Sequence, residues 1–136
     1  MSARWVQADA AALDLPQGSA AICLCERAFG LLGGGDDAVG QPTAILRNIA
    51  RALHPGAGCL LTMLNGYRMI RQGTPSGADG DHTDPLPLVW SSAMQLAGTS
   101  RRVVLRERGF APTELVALAA LAGLEVVALW GGTAGN

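Results

Sequence analysis

Residues 20–65 constrain the fold of this chain more than any other stretch. They open with the apolar run AAICLC and continue through a glycine-rich loop, FGLLGGGDD, into the amphipathic segment TAILRNIARAL. The stretch then ends with HPGAG and a second apolar run, CLLTMLN. This order predicts strand, loop, helix, turn and strand, a unit whose two strands run parallel with a right-handed crossover. We expect the other segments to be added to this unit.

The apolar residues of the predicted helix recur every three to four positions, which is typical of a helix buried along one face. These residues are Ile45, Leu46, Ile49, Ala50 and Leu53. Pro42 suits the first helical turn, and Pro55 with Gly56 ends the helix.

Segments on either side continue the alternation of strands and helices. Strands are predicted at residues 4–8, 102–107 and 124–130, and a helix is predicted to begin near Pro112. The apolar face of that helix is formed by Leu115, Leu118, Ala119 and Ala122. The pattern indicates a single α/β domain over residues 1–136, with a mainly parallel sheet and flanking helices.

Residues 73–100 are the least regular part of the chain. Gly, Pro, Ser and Asp cluster in residues 73–87, which indicates an exposed, flexible insertion. A short helix that carries Trp90 is predicted at residues 87–96.

Composition narrows the possible partners. The formal net charge of −1 gives no strong field toward nucleic acid or acidic lipid. No apolar run has the length of a signal peptide or a membrane span, so we expect a cytoplasmic protein without a membrane partner. Cys23, Cys25 and Cys59 lie in apolar runs without a CxxC motif, which favours buried reduced thiols over a metal site.

Three stretches together resemble one family, the class I S-adenosylmethionine-dependent methyltransferases. VQADAAALDLPQGSAAICLCERAFGLLG is similar to the third and fourth strands of that family, and ILRNIARALHPGAGCLLTMLN to the following helix, turn and fifth strand. RERGFAPTELVALAALAGLEVVALWGG is similar to its late helix and sixth strand. The resemblance implies a partial Rossmann-like fold and S-adenosylmethionine as the cofactor.

The resemblance also implies a cofactor site at the ends of two strands. Asp9 matches the acidic residue whose carboxylate accepts a hydrogen bond from the adenine amino group, and the backbone amide of Ala10 would contact the ring. Cys25 and Glu26 match the end of the fourth strand, beside the methionine part of the cofactor. Such a place agrees with the rule that open α/β sheets bind ligands beyond the carboxyl ends of their strands.

The acceptor side of the implied site comes from two loops. Phe29 would border the acceptor pocket, and Asn65 and Tyr67 would stand across the same crevice. Glu26 is a weak candidate for orienting an acceptor or acting as a base. No catalytic triad or metal set is needed, because the sulfonium is already activated and the enzyme mainly supplies alignment. The resemblance therefore implies methyl transfer to a small molecule that the sequence does not name.

The chain also departs from the family pattern. It has no GxGxG-type loop and no acidic residue after a second strand, and Ala20 and Ala21 stand where many members carry Asp. The first two strands and the last strand have no counterpart, so the chain resembles a domain truncated at both ends. The absent strands would leave gaps in the family's sheet. Paired strands must lie about 4.8 Å apart, so the present strands could not all keep their family positions and remain paired. Open edges invite association, so we expect a homo-oligomer, in one form a strand-exchanged dimer.

Other interpretations of the candidate residues stay open. Asp9 could cap its own turn instead of binding adenine, and Glu26 could be solvated or paired with arginine. His82 lies in an acidic loop, where its spacing to the neighbouring aspartates matches no metal-ligand pattern. The cluster Arg101, Arg102, Arg106 and Arg108 is interpreted as a solvated face.

Two functions follow from these observations. The first is a methyltransferase, or a fragment of one, that acts on a small-molecule acceptor. The alternative is a non-catalytic module that keeps the scaffold and works through self-association or a protein partner. The absent glycine loop favours the second function, and the retained Asp9 and crevice residues favour the first.

Overall fold

The computed structural model describes residues 5–18, 22–24, 29–33, 35, 37–72 and 82–131. Strands and helices alternate irregularly along this part of the chain. The strands are β1 (Ile22–Leu24), β2 (Leu31–Leu32), β3 (Cys59–Leu61), β4 (Leu64–Asn65), β5 (His82–Asp84), β6 (Val89–Gln95) and β7 (Arg102–Phe110). The helices are α1 (Gly40–Ala52), α2 (Gly66–Gln72) and α3 (Pro112–Leu121).

The strand–helix–strand unit predicted at residues 20–65 is confirmed. β1 pairs with β3 in parallel, with Ile22 opposite Cys59 and Leu24 opposite Leu61, and α1 lies between the two strands in sequence. The predicted stripe on α1 faces the core, since Ile45, Leu46 and Ile49 are buried. The apolar period of the sequence therefore determined both the helix and its orientation.

The core joins α1 to α3 and to two phenylalanines. The rings of Phe29 and Phe110 stack with centroids 4.9 Å apart, and both side chains are fully buried. The predicted inner face of α3 is confirmed, because Leu118 and Ala119 are buried there. Gly123 has a φ of +83°, as expected for the residue that ends this helix.

The prediction of a mainly parallel sheet is wrong for the larger sheet. Its strands lie in the order β2-β7-β6-β5 with antiparallel pairing, and only β4 adds to β7 in parallel. β6 and β7 are consecutive and joined by a tight turn, in which the amide of Leu96 donates to the carbonyl of Arg101 at 2.9 Å. A short connection of this kind leads only to antiparallel strands, because a parallel pair needs a long crossover.

The predicted insertion contains regular structure where the sequence indicated a loop and a helix. Residues 82–84 form β5, and the short helix predicted at residues 87–96 is instead strand β6. β6 pairs with β7 along its whole length, from Val89 opposite Arg108 to Gln95 opposite Arg102. These long-range ladder bonds override the weak local preference for helix. Residues 73–81 lie outside the described part of the chain.

The strands predicted at residues 4–8 and 124–130 are not formed in the described residues. Trp5 is 93% exposed and Val127 is 90% exposed, and neither segment has a ladder partner among the described residues. A strand requires a hydrogen-bonded neighbour, so an apolar run alone does not produce one. Within the described part of the chain, no helix is long and apolar enough to cross a membrane.

Candidate functional site

Helix α2 is attached to the end of β4 by a side-chain cap. The Oδ1 atom of Asn65 accepts hydrogen bonds from the backbone amides of Tyr67 at 3.0 Å and Arg68 at 3.4 Å. Asn65 itself lies opposite Phe110, the last residue of β7. The first turn of α2 therefore begins at the carboxyl ends of two parallel strands, where α/β proteins place their ligands.

Two facing glycines allow α2 to lie directly on β7. A Cβ atom on Gly109 would lie 3.0 Å from the Cα of Gly66, and one on Gly66 would lie 3.1 Å from the backbone carbon of Phe110. The sulfur of Met69 also packs against Gly109. With no side chain between them, the backbones of the helix and the strand can approach each other closely.

A cleft of about 550 Å³ opens beside α2. It has the size of a small-molecule site. Its walls are Asn65, Tyr67, Arg68, Arg71 and Gly131. Two of these lining residues are arginines, which follow each other at a spacing of three on α2.

The structure brings together two of the residues that sequence predicted for the acceptor side. Asn65 and Tyr67 both line the cleft, and Tyr67 is 48% exposed. Sequence reasoning missed Arg68, Arg71 and Gly131. The signal that could have found the arginines is their spacing of three in GYRMIRQ, which places both on one face of a helix.

Asp9 and Ala10 lie in a separate turn that contacts α1. The Oδ1 atom of Asp9 accepts a hydrogen bond from the amide of Ala11 at 2.9 Å, and its carbonyl accepts one from Ala12 at 3.0 Å. The side chain of Asn48 on α1 donates to the carbonyl of Ala10 at 2.9 Å. Asp9 therefore stabilises its own turn through Oδ1 and its carbonyl.

The remaining predicted positions divide into buried and undescribed residues. Phe29 is fully buried against Phe110 and does not line the cleft beside α2. Cys25 and Glu26 lie outside the described residues, as does the side chain of Cys23.

The loop after Phe29 is bound to β7 through its backbone. Gly30 has a φ of +102°, and its carbonyl accepts a hydrogen bond from the amide of Arg108 at 2.8 Å. A Cβ atom on Gly30 would lie 2.7 Å from the carbonyl oxygen of Arg108. Only glycine fits both the backbone angle and the close contact.

The interpretation of the arginine cluster as a solvated face is wrong for Arg108. This side chain is buried, forms an ion pair with Glu114 at the start of α3, and stacks on Phe110 with its central carbon 4.8 Å from the ring centroid. Its Nε atom donates to the carbonyl of Pro87 at 3.3 Å. Arg101 and Arg102 are exposed, as predicted.

Asp37 forms hydrogen bonds at the start of α1, and its carboxylate also interacts electrostatically with Arg108. Its Oδ1 atom accepts hydrogen bonds from the amides of Gly40 at 2.5 Å and Val39 at 2.9 Å. These two amide donors, with a smaller contribution from the positive charge of Arg108, hold the pKa of Asp37 below its usual value. The carboxylate is thus kept ionised at the N-terminus of the helix, where negative charge is favoured.

The solved structures that are similar to this chain include a methyltransferase. The CcbJ methyltransferase from Streptomyces caelestis matches with a TM-score of 0.64 and 27% sequence identity, over 90% of this chain and 57% of that chain. The chain thus spans just over half of the length of CcbJ. No protein-family model and no curated protein matches the sequence. The fold of this chain is therefore similar to that of part of a methyltransferase.

Proposed function

We propose that this chain is an S-adenosylmethionine-dependent methyltransferase, or part of one, that transfers a methyl group to a small-molecule acceptor. The observation that carries the proposal is the likeness to CcbJ, which extends over 90% of this chain at 27% identity. The parallel pair β1–β3 with its crossover helix α1 agrees with the scaffold expected of the class I enzymes.

Two of the described residues, Asp9 and Ala10, support the adenine end of this proposal. Asp9 is exposed on a turn that Asn48 fixes against α1, and one of its carboxylate oxygens is not used in that turn. In this proposal the carboxylate would accept a hydrogen bond from the exocyclic amino group of adenine, and the backbone amide of Ala10 would contact the ring. When bound, the cofactor supplies a methyl group on an activated sulfonium.

The acceptor side of the proposal uses the cleft beside α2. Asn65 and Tyr67 line it at the carboxyl ends of β4 and β7. Phe29 does not line the cleft and is buried in the core against Phe110. In this proposal the chain orients the acceptor and keeps water away, which is most of what methyl transfer to a good nucleophile needs. Glu26, at the predicted end of the fourth strand, is the candidate base.

One observation favours the alternative, a module that works through self-association. From Leu115 to its end α3 is apolar on every side, and its outer side chains Val116 and Leu121 are 45% and 71% exposed. Trp130 and Leu129 of the following segment are also exposed. A helix that is hydrophobic all round is usually buried. Two copies could cover this surface in a homodimer without burying a charge from these four side chains.

The two functions are separated by a turnover experiment. The folded protein would be incubated with S-adenosylmethionine and pools of small amines, phenols and carboxylic acids, and S-adenosylhomocysteine would be measured by mass spectrometry. The enzyme predicts product above the acceptor-free background, and less product from Asp9→Ala than from Asp14→Ala, a matched exposed carboxylate. Product absent from every pool, together with a dimer in light scattering, would favour the non-catalytic module.

A further inference from the structure

We propose that residues 124–130 form a β-strand that pairs with the same residues of a second copy of this chain, antiparallel and about a two-fold axis at Val127. In solution the chain would then be a homodimer whose two copies share one ribbon. The proposal goes beyond methyl transfer, and it applies to an enzyme as well as to a module without activity. It rests on one segment, LEVVALW, which follows α3.

The backbone of this segment has open hydrogen-bonding groups. The amide of Leu124 donates to the carbonyl of Ala119 at 2.9 Å and so belongs to the end of α3. From Glu125 to Trp130, the backbone forms no hydrogen bond with another residue that the structure describes. A run of open amides and carbonyls is a template for pairing with another strand.

Side-chain burial along the segment alternates as in a strand with one covered face. Leu124 and Val126 are half-buried, and Leu124 packs against the core, whereas Glu125 and Val127 are exposed. Successive side chains of a strand point to opposite faces, so this alternation is typical of a strand that lies on the core. The valines and the tryptophan favour the same conformation.

The covered face extends along only part of the segment. In a strand, Ala128 and Trp130 would fall on the same face as Leu124, but both are exposed, Trp130 by 60%. A second copy in antiparallel order about Val127 would set its own Leu124 opposite Trp130. The end that each copy rests on its own core would then cover the exposed end of the other copy. The segment is therefore complementary to itself, as a two-fold interface requires.

The charges of the segment also permit this pairing. Glu125 is the only charged side chain in residues 115–136 of the sequence. In the register about Val127, each Glu125 lies opposite Leu129 of the other copy, so the two carboxylates do not face each other. Val127, which is 90% exposed, would face the same valine of the second copy. The net charge of −1 adds little repulsion between two copies.

The ribbon would lie next to the cleft beside α2. Gly131, a wall of that cleft, directly follows Trp130. The register sets Leu124 of the second copy opposite Trp130, so assembly would bring the second copy to the edge of the cleft.

The two-fold axis at Val127 allows a test by exchange of charge. Val127→Glu and Val127→Lys each set two like charges opposite each other, whereas a mixture of the two variants sets opposite charges together. The exposure of Val127 means that neither substitution changes the core of a single copy. Sedimentation velocity would measure the dimer dissociation constant, with circular dichroism to show that each protein is folded. Val104→Glu is the matched control, because Val104 is a 66% exposed valine on β7.

We expect the parent protein to be a dimer at micromolar concentration. Each charged variant should weaken the dimer about tenfold, and their mixture should form a heterodimer within about threefold of the parent affinity. Val104→Glu should dimerise like the parent protein. A monomeric parent, a dimer that neither Val127 variant weakens, a mixture that stays monomeric, or an equal loss in Val104→Glu would overturn the proposal.

Hydrogen exchange tests the pairing in the parent protein without any substitution. The amides of residues 125–130 should exchange more slowly at concentrations where the dimer forms than at concentrations where it dissociates, because ladder bonds protect them. Equally fast exchange in both states would contradict the ribbon. Neither measurement needs S-adenosylmethionine or turnover, so dimerisation and methyl transfer can succeed or fail separately.

Discussion

Gly66 and Gly109 contact each other through their backbones, with the Cα of Gly66 3.0 Å from the place a Cβ would take on Gly109. This contact joins the first turn of α2 to the carboxyl end of β7. It therefore connects the cleft, whose walls come from α2, to the central strand of the larger sheet.

The first prediction concerns this contact. Gly109→Ala should destabilise the protein by about 2 kcal/mol, because the added methyl group overpacks the interface with Gly66 and Met69. Chemical denaturation monitored by circular dichroism measures the change. Gly58→Ala is the control, since a Cβ there would meet nothing within 4 Å. Equal stability of the two variants would show that α2 is not seated as described.

The second prediction concerns the loop after Phe29. Gly30→Ala should cost more than about 1 kcal/mol, since alanine disfavours the φ of +102° and its methyl group would meet the carbonyl of Arg108. Gly35→Ala, where there is open space, should change stability little. A melting temperature for Gly30→Ala equal to that of the parent protein would contradict the described loop.

The third prediction concerns the buried ion pair. Glu114→Gln removes the carboxylate that is paired with the buried guanidinium of Arg108 and should destabilise the protein by about 3 kcal/mol. The double variant Arg108→Met with Glu114→Gln removes that charge and should recover part of the loss. Denaturant unfolding of the single and double variants measures the coupling. Strictly additive losses would argue against the pair.

The fourth prediction concerns the pH dependence of stability through Asp37. Its pKa is lowered in the folded state, so its contribution is present above the unfolded value of about 4 and is lost as pH falls through the lower folded value. Asp37→Ala should therefore melt below the parent protein at pH 7, and the gap should narrow below about pH 4. Thermal melts across pH 2.5–7 (roughly the span over which carboxyl groups titrate) measure this, and a gap that does not vary with pH would contradict it.

Local patterns predicted the parts of the fold that depend on neighbours in sequence. The apolar period of α1 and the positions of Pro112 and Gly123 around α3 determined those helices correctly. The pairing of strands was harder to predict. The alternation of apolar residues in β7 indicates a strand but does not indicate which other strands pair with it. The antiparallel pairing of β6 with β7 is a long-range choice, and the mixed sequence VWSSAMQ gave little sign of it.

Sequence likewise predicted some residues of the candidate site and missed others. Asn65 and Tyr67 were identified through the family resemblance, and both line the cleft. Arg71 was missed because its spacing from Arg68 indicates a shared helix face but does not indicate whether that face meets solvent or a cleft. Arg108 was misassigned to a solvated face, since its burial depends on how β7 packs against α3 and Glu114.

The measurement that tests the central claim most directly is calorimetric titration of the folded protein with S-adenosylmethionine and S-adenosylhomocysteine. Asp9→Ala is the test variant and Asp14→Ala is its control. The account predicts saturable binding of both ligands, weakened by Asp9→Ala and unchanged by Asp14→Ala. No binding of either ligand up to millimolar concentration, by protein shown to be folded, would contradict the assignment of a methyltransferase function.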